Sequence, residues 1–192
     1  MKRIGIILNL PNILTLFRIL ITPLFIICLI RGAYQGALVI FALAGVTDGL
    51  DGMLARLLNQ KTALGAALDP IADKLLLISA FVTLAIQGMI PAWLAVIVIS
   101  REVLIIVGIA ILEISKVPYE IHPSMVSKCT TFIQLAAIFL LLLSLQTAVV
   151  APALFPVYWL TAALSTVSGL HYVYVGIQIM SDPENDSGPQ QG

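Results

Sequence analysis

Charge is the scarcest ingredient of this 192-residue chain: ten basic and ten acidic side chains make up 10% of it, against 60% hydrophobic residues. A mean hydropathy of +1.06 lies far outside soluble globular composition and points to a protein that crosses a bilayer several times. The charges cancel formally, so no basic surface for nucleic acid or another polyanion is implied. Cysteine is nearly absent too. Cys28 and Cys129 lie in apolar runs, at no metal-ligand or disulfide spacing, and read as small apolar packing residues. A convincing signal cleavage site is also lacking. The apolar run behind Met1-Lys2-Arg3 is broken by Asn9, Pro11 and Asn12, so the N-terminus is expected to be retained.

Long apolar runs are what the chain has instead. Roughly 20 such residues cross a bilayer, and the punctuation predicts six spans, near 13–30, 36–58, 63–86, 91–112, 125–145 and 153–180. Arg31-Gly32 and Gln87-Gly88 end the first and third. A polar segment at 113–123, with Lys116, Glu120 and His122, separates the fourth from the fifth, and Pro152 and Pro156 punctuate the approach to the sixth. Pro70 should weaken or kink the first turns of the third. The expected fold class is all-α, a polytopic membrane protein of six transmembrane helices. One domain covers 1–180 and a polar, disordered tail covers 181–192. Lys2, Arg3, Arg56, Lys61, Lys116 and Lys128 fall at the N-terminus or after spans two and four, whereas the opposite loops hold only Arg31. Basic residues stay inside, so both termini and the active-site cavity are expected to face the cytoplasm. Trp93, Tyr158 and Trp159 suit the interfacial aromatic belts.

Against this apolar background, four of the ten acids crowd into 48–73, as Asp48, Asp51, Asp69 and Asp73. Asp48 and Asp51 share a face on a helix, which Gly52, Ala55 and Arg56 continue. Gly65, Asp69 and Asp73 step by four along a second. The polar cluster Asn59-Gln60-Lys61-Thr62 turns the chain between them and lets the two acidic stripes meet. Carboxylates so placed would repel one another unless divalent cations neutralised them. All-oxygen ligands favour hard ions such as Mg²⁺ or Mn²⁺ over zinc. Gly52 and Gly65 leave space on the same faces, and Arg56 is a fixed cation suited to phosphate oxygens. The alternative is a set of solvated or ion-paired helix-end charges, but intramembrane carboxylates are costly and normally functional.

The spacing D-x2-D-G-x2-A-R-x8-G-x3-D-x3-D resembles the motif of the CDP-alcohol phosphatidyltransferases at each of its eight defined positions. The resemblance extends to about residue 180 and implies transfer of the phosphatidyl group from CDP-diacylglycerol to a glycerol-type acceptor, with release of CMP. It implies two divalent cations held by Asp48, Asp51 and Asp69, with Asp73 as general base and further ligand. Gly52, Ala55, Arg56 and Gly65 would hold the CDP part, and the protein would be a homodimer in a bacterial-type cytoplasmic membrane. Asn12, Thr15 and Arg18 look like the N-terminal segment of the same enzymes and join the CDP site on that reading; equally, Asn12 or Thr15 caps the first helix.

Arg101 is a charge in an otherwise apolar span, with Glu102 expected to point elsewhere; it reads as an acceptor anchor or as half of a buried ion pair. Lys128 is an acceptor contact by resemblance, or a cation snorkelling to the interface. Lys74 only screens Asp73, and His122 is solvated. The acceptor separates two branches. Phosphatidylglycerophosphate synthases, which use glycerol 3-phosphate, usually carry a further arginine soon after Arg-Glu and a G-K-x-K-T-x2-Q segment. Here no such arginine follows, and Thr130 replaces the second lysine in Ser127-Lys128-Cys129-Thr130-Thr131-Phe132-Ile133-Gln134. Fewer cations favour phosphatidylglycerol, as in CMP-forming cardiolipin synthases, and Thr130→Lys is expected to move the preference back. Two other classes fit less well. An aromatic prenyltransferase would not pair Asp-Gly with Ala-Arg at this spacing, and a transporter would show inverted repeats or paired broken helices.

Overall fold

Alternating apolar runs and glycine-bearing breaks build a bundle of helices. In the computed structural model the backbone is described for 10–57, 63–114 and 125–180, and side chains for 15–47, 74–111 and 125–179. Among the described residues there are six α-helices and no strand: α1 (Leu10–Ile30), α2 (Tyr34–Leu57), α3 (Ala63–Ile86), α4 (Ala92–Ile114), α5 (Met125–Ser144) and α6 (Ala151–Met180). A 3₁₀ turn, Ala148–Val150, leads into α6, and the Thr147 hydroxyl caps it by accepting from the Val149 amide at 3.2 Å.

The breaks fall where the glycines predict them. Gly32 and Gly88 have φ of +71° and +70°, the left-handed geometry that closes a helix without a Cβ penalty. In each case the following amide returns to a carbonyl five residues back, Ala33 to Cys28 at 2.8 Å and Met89 to Leu84 at 2.9 Å. Gln87 Nε2 donates to the Leu29 carbonyl at 2.8 Å and fastens these two helix ends together.

α1 packs against both α2 and α3, while α6 packs against α4 and α5. Phe25, Leu29, Phe41, Leu77, Phe81 and Leu84 form the core of the first trio, with the Phe25 and Phe41 rings 5.6 Å apart. The α5–α6 seam is more polar: Thr130, Gln134, Thr161, Ser165 and Ser168 are all buried. Gln134 Nε2 donates to Ser165 Oγ at 2.9 Å, and the Thr130 hydroxyl contacts the Leu164 carbonyl at 3.2 Å. Small polar residues of this kind let helices approach closely in an apolar solvent. The outer surface is the reverse of a soluble protein's, with Phe132, Val149, Phe155 and Ile86 more than 70% exposed. By length and composition α4, α5 and the 148–179 helix can each cross a membrane, and 15–30, 34–47 and 74–86 are shorter apolar helices.

Several expectations are revised. α4 continues through Glu113 to Ile114, so the polar segment begins later than composition implies. α6 starts at Ala151 and takes Pro156 into its interior; Pro152 is tolerated because its missing N–H lies in the first turn. α3 runs helical through Pro70. Cys28 is half-buried and Cys129 exposed, so the second is not an internal packing residue. The Trp93 and Trp159 rings lie 5.2 Å apart, tilted by 37°. Lys61, Lys116, His122 and the tail at 181–192 lie outside the described residues.

Candidate active site

The acidic stretch divides between two helices as its spacing requires. Asp48, Asp51, Gly52, Ala55 and Arg56 fall in the C-terminal half of α2; Gly65, Asp69 and Asp73 fall in the N-terminal half of α3. Only 58–62 separate the two helices. A five-residue connection is too short to carry the chain across a bilayer, so both acidic segments sit at one end of the bundle. The i, i+3 and i, i+4 registers keep each set on one side of its helix. The side chains from 48 to 73, and that of Asn12, lie outside the described ones.

At Lys74 the described side chains resume, and they form a buried network across four helices. Lys74 Nζ on α3 lies 3.6 Å from Glu102 Oε2 on α4. The other carboxylate oxygen pairs with Arg101 Nη1. Arg101 Nη2 donates to Ser127 Oγ on α5 at 2.7 Å and to Ser168 Oγ on α6 at 3.1 Å, and Nε reaches the same Ser168 oxygen at 3.3 Å. Arg101 and Glu102 are 4% and 2% exposed, whereas a quarter of the Lys74 side chain is accessible.

Glu102 therefore does not point away from Arg101. Neighbours on a helix ordinarily diverge, but an unpaired buried charge is costly enough to bend both side chains together. Lys74 likewise pairs with Glu102, 28 positions further along the chain, rather than serving only to screen Asp73. Sequence spacing gives no sign of this; the contact requires α3 and α4 to pack. Gly169 on α6 packs against the Arg101 side chain, where a Cβ would make ordinary van der Waals contact with Arg101 Cγ at 3.7 Å.

Thr15 and Arg18 are buried one turn apart on α1, and both are engaged in interactions. α1 already includes Leu10, so Thr15 stands in its second turn and is no helix cap; Asn12 also lies within the helix. Lys128 is exposed in the first turn of α5. Thr130, by contrast, is fully buried, its hydroxyl on the Val126 carbonyl at 2.8 Å and the Leu164 carbonyl at 3.2 Å. A side chain there does not face an open acceptor pocket. A cavity of about 220 Å³ between α4 and α6, lined by Leu104, Gly108, Tyr172 and Gly176 among others, is apolar and contains none of the predicted site residues.

A helical bundle with apolar outer faces, an aspartate-rich pair of helix halves and a buried Arg101–Glu102 pair beside them is that of an integral membrane protein. The match of residues 8–167 to the CDP-alcohol phosphatidyltransferase model makes the class specific: the chain belongs to that family, and its activity is that of a CDP-alcohol phosphatidyltransferase of phospholipid biosynthesis. Among its relatives are the probable phosphatidylglycerophosphate synthase of Mycobacterium tuberculosis (37% identical over 174 residues, 86% of this chain and 80% of the relative). The CDP-diacylglycerol–glycerol-3-phosphate 3-phosphatidyltransferase of Wigglesworthia glossinidia brevipalpis is 37% identical over 175 residues, 88% of this chain and 94% of the relative. The CMP-forming cardiolipin synthase of Streptomyces coelicolor is 38% identical over 144 residues, 72% and 66% of the two chains.

Proposed function

We propose that this enzyme transfers the phosphatidyl group of CDP-diacylglycerol to the free hydroxyl of phosphatidylglycerol, yielding cardiolipin and CMP. The reaction takes place at the cytoplasmic face of a six-span, single-domain protein working as a homodimer. One observation supports the acceptor assignment: among the described residues Arg101 and Lys74 share a single carboxylate, Glu102, which partly neutralises both. A phosphate monoester brings nearly two negative charges, a phosphodiester one. Phosphatidylglycerol also supplies its own membrane anchoring.

Asp48, Asp51, Asp69 and Asp73 present only carboxylate oxygens, a donor set that fits Mg²⁺ or Mn²⁺. Two such ions, when bound, supply charge neutralisation for the diphosphate and for the departing CMP phosphate. Gly52, Ala55, Arg56 and Gly65, with Asn12 and Thr15, hold the CDP part, and Arg101 and Lys128 hold the acceptor's phosphate. Asp73 takes the proton from the acceptor hydroxyl. The acceptor's hydroxyl oxygen forms the new bond to the lipid-bearing phosphorus, and the bond from that phosphorus to the CMP oxygen breaks.

A second reading has glycerol 3-phosphate as acceptor, favoured by the names of the relatives aligned over most of both chains. Supplying labelled phosphatidylglycerol and labelled glycerol 3-phosphate in turn decides between them. Cardiolipin is the expected product. Efficient formation of phosphatidylglycerophosphate with no use of phosphatidylglycerol overturns the acceptor assignment and leaves the transferase.

A further inference from the structure

We infer that Lys74 is a further acceptor-binding residue, and that Glu102 sets the charge of the subsite it shares with Arg101. The inference rests on the reading of Arg101 as an acceptor anchor and goes beyond it to two residues with no role in that reading.

The network contains two cations and one carboxylate, all held by contacts within the bundle. Arg101 is permanently charged, and Lys74 Nζ lies 3.6 Å from the second oxygen of the same Glu102 carboxylate. By formal count the two basic side chains exceed the one carboxylate by a single charge, in a low-dielectric setting where an anion is attracted more strongly than in water. Access separates the members. Arg101 is almost sealed by Glu102, Ser127 and Ser168, while Lys74 is 25% exposed and its ammonium has three donors, of which Glu102 occupies one. Lys74 is also the residue directly after Asp73, so a phosphate held there stays close to the helix turn that carries the proposed base. A single surplus charge matches a phosphodiester. Without the carboxylate the surplus becomes two, which matches a phosphate monoester dianion. Glu102 acts through its two partners and is a positioning residue, not a catalytic one.

The test uses the full-length protein in mixed micelles with Mg²⁺, reading CMP release while phosphatidylglycerol, glycerol 3-phosphate and CDP-diacylglycerol are varied in turn. Lys74→Gln should raise the acceptor KM about tenfold or more, the worth of one charge-assisted contact, and leave the KM for CDP-diacylglycerol in place; Lys74→Arg should restore most of the loss. Glu102→Gln should raise kcat/KM for glycerol 3-phosphate relative to phosphatidylglycerol by about tenfold. An acceptor KM unmoved by Lys74→Gln, or moved equally with that of CDP-diacylglycerol, overturns the inference. So does an unchanged acceptor ratio in Glu102→Gln, which decides the matter if Lys74→Gln does not accumulate. The wild-type arm keeps failures apart. No CMP release with either acceptor defeats the transferase reading, and release with glycerol 3-phosphate alone defeats only the phosphatidylglycerol assignment.

Discussion

Two nitrogens of Arg101 converge on one oxygen of Ser168, Nη2 at 3.1 Å and Nε at 3.3 Å, and so hold the guanidinium edge-on against α6. Ser168→Ala removes the acceptor for both and leaves a buried cation short of partners. The expected cost is about 1–3 kcal/mol, visible as a lower unfolding midpoint in detergent. A rise in acceptor KM should accompany it, because the guanidinium loses its fixed plane. Ser168→Thr keeps the hydroxyl and should recover most of both effects. Unchanged stability and kinetics in Ser168→Ala would show that Ser127 and Glu102 suffice.

Metal removal is the second prediction. The proposed site sets four aspartates on two successive helix halves, where divalent cations would neutralise them. Chelation should abolish turnover, and added Mg²⁺ or Mn²⁺ should restore it. Asp48→Asn, which removes an anionic ligand, should raise the Mg²⁺ concentration needed for half-maximal activity. Undiminished activity in a demonstrably metal-free sample would defeat this assignment.

Asp73 is separable from the other three by its proposed role. Asp73→Asn should lower kcat by about a hundredfold or more, the usual loss for a general base, while CDP-diacylglycerol still binds. Binding is checked by equilibrium titration with the labelled nucleotide lipid. Equal loss of binding in Asp73→Asn and Asp48→Asn would mean that the two do the same job.

The ends of α1 and α3 were legible because each of those apolar runs stops at a residue with a strong local preference. Gly32 and Gly88 terminate α1 and α3 through their positive φ, a property of the residue type rather than of its surroundings. The acidic motif was legible for a similar reason, since register along a helix follows from spacing alone. The Lys74–Glu102–Arg101 network was not. Adjacent helical residues should diverge, and only the packing of α3, α5 and α6 around α4 turns Glu102 back onto Arg101 while supplying Lys74 and the two serines. Tertiary burial, which no single-helix pattern contains, decided those side chains. It also decided Pro156, whose helix-breaking tendency is absorbed within α6.

Burial decides the last prediction as well. Thr130 stands at the position of the second lysine in the G-K-x-K-T-x2-Q pattern, and introducing a lysine there should, on charge count alone, move the acceptor preference. The environment of Thr130 argues otherwise. It is fully buried between α5 and α6, with its hydroxyl on the Val126 and Leu164 carbonyls. Thr130→Lys forces an ammonium into this seam, where Ser165, Gln134 and Thr161 offer no carboxylate. An unpaired ammonium buried between two packed helices is costly, and the lost hydroxyl contacts add to that. The variant should accumulate poorly or melt early in detergent, and its folded fraction should keep the wild-type acceptor preference. Thr130→Val, which keeps the shape and removes only the hydroxyl, should be far milder. A Thr130→Lys protein with wild-type stability and a clear gain in glycerol 3-phosphate use would place residue 130 in the acceptor pocket and overturn the buried seam.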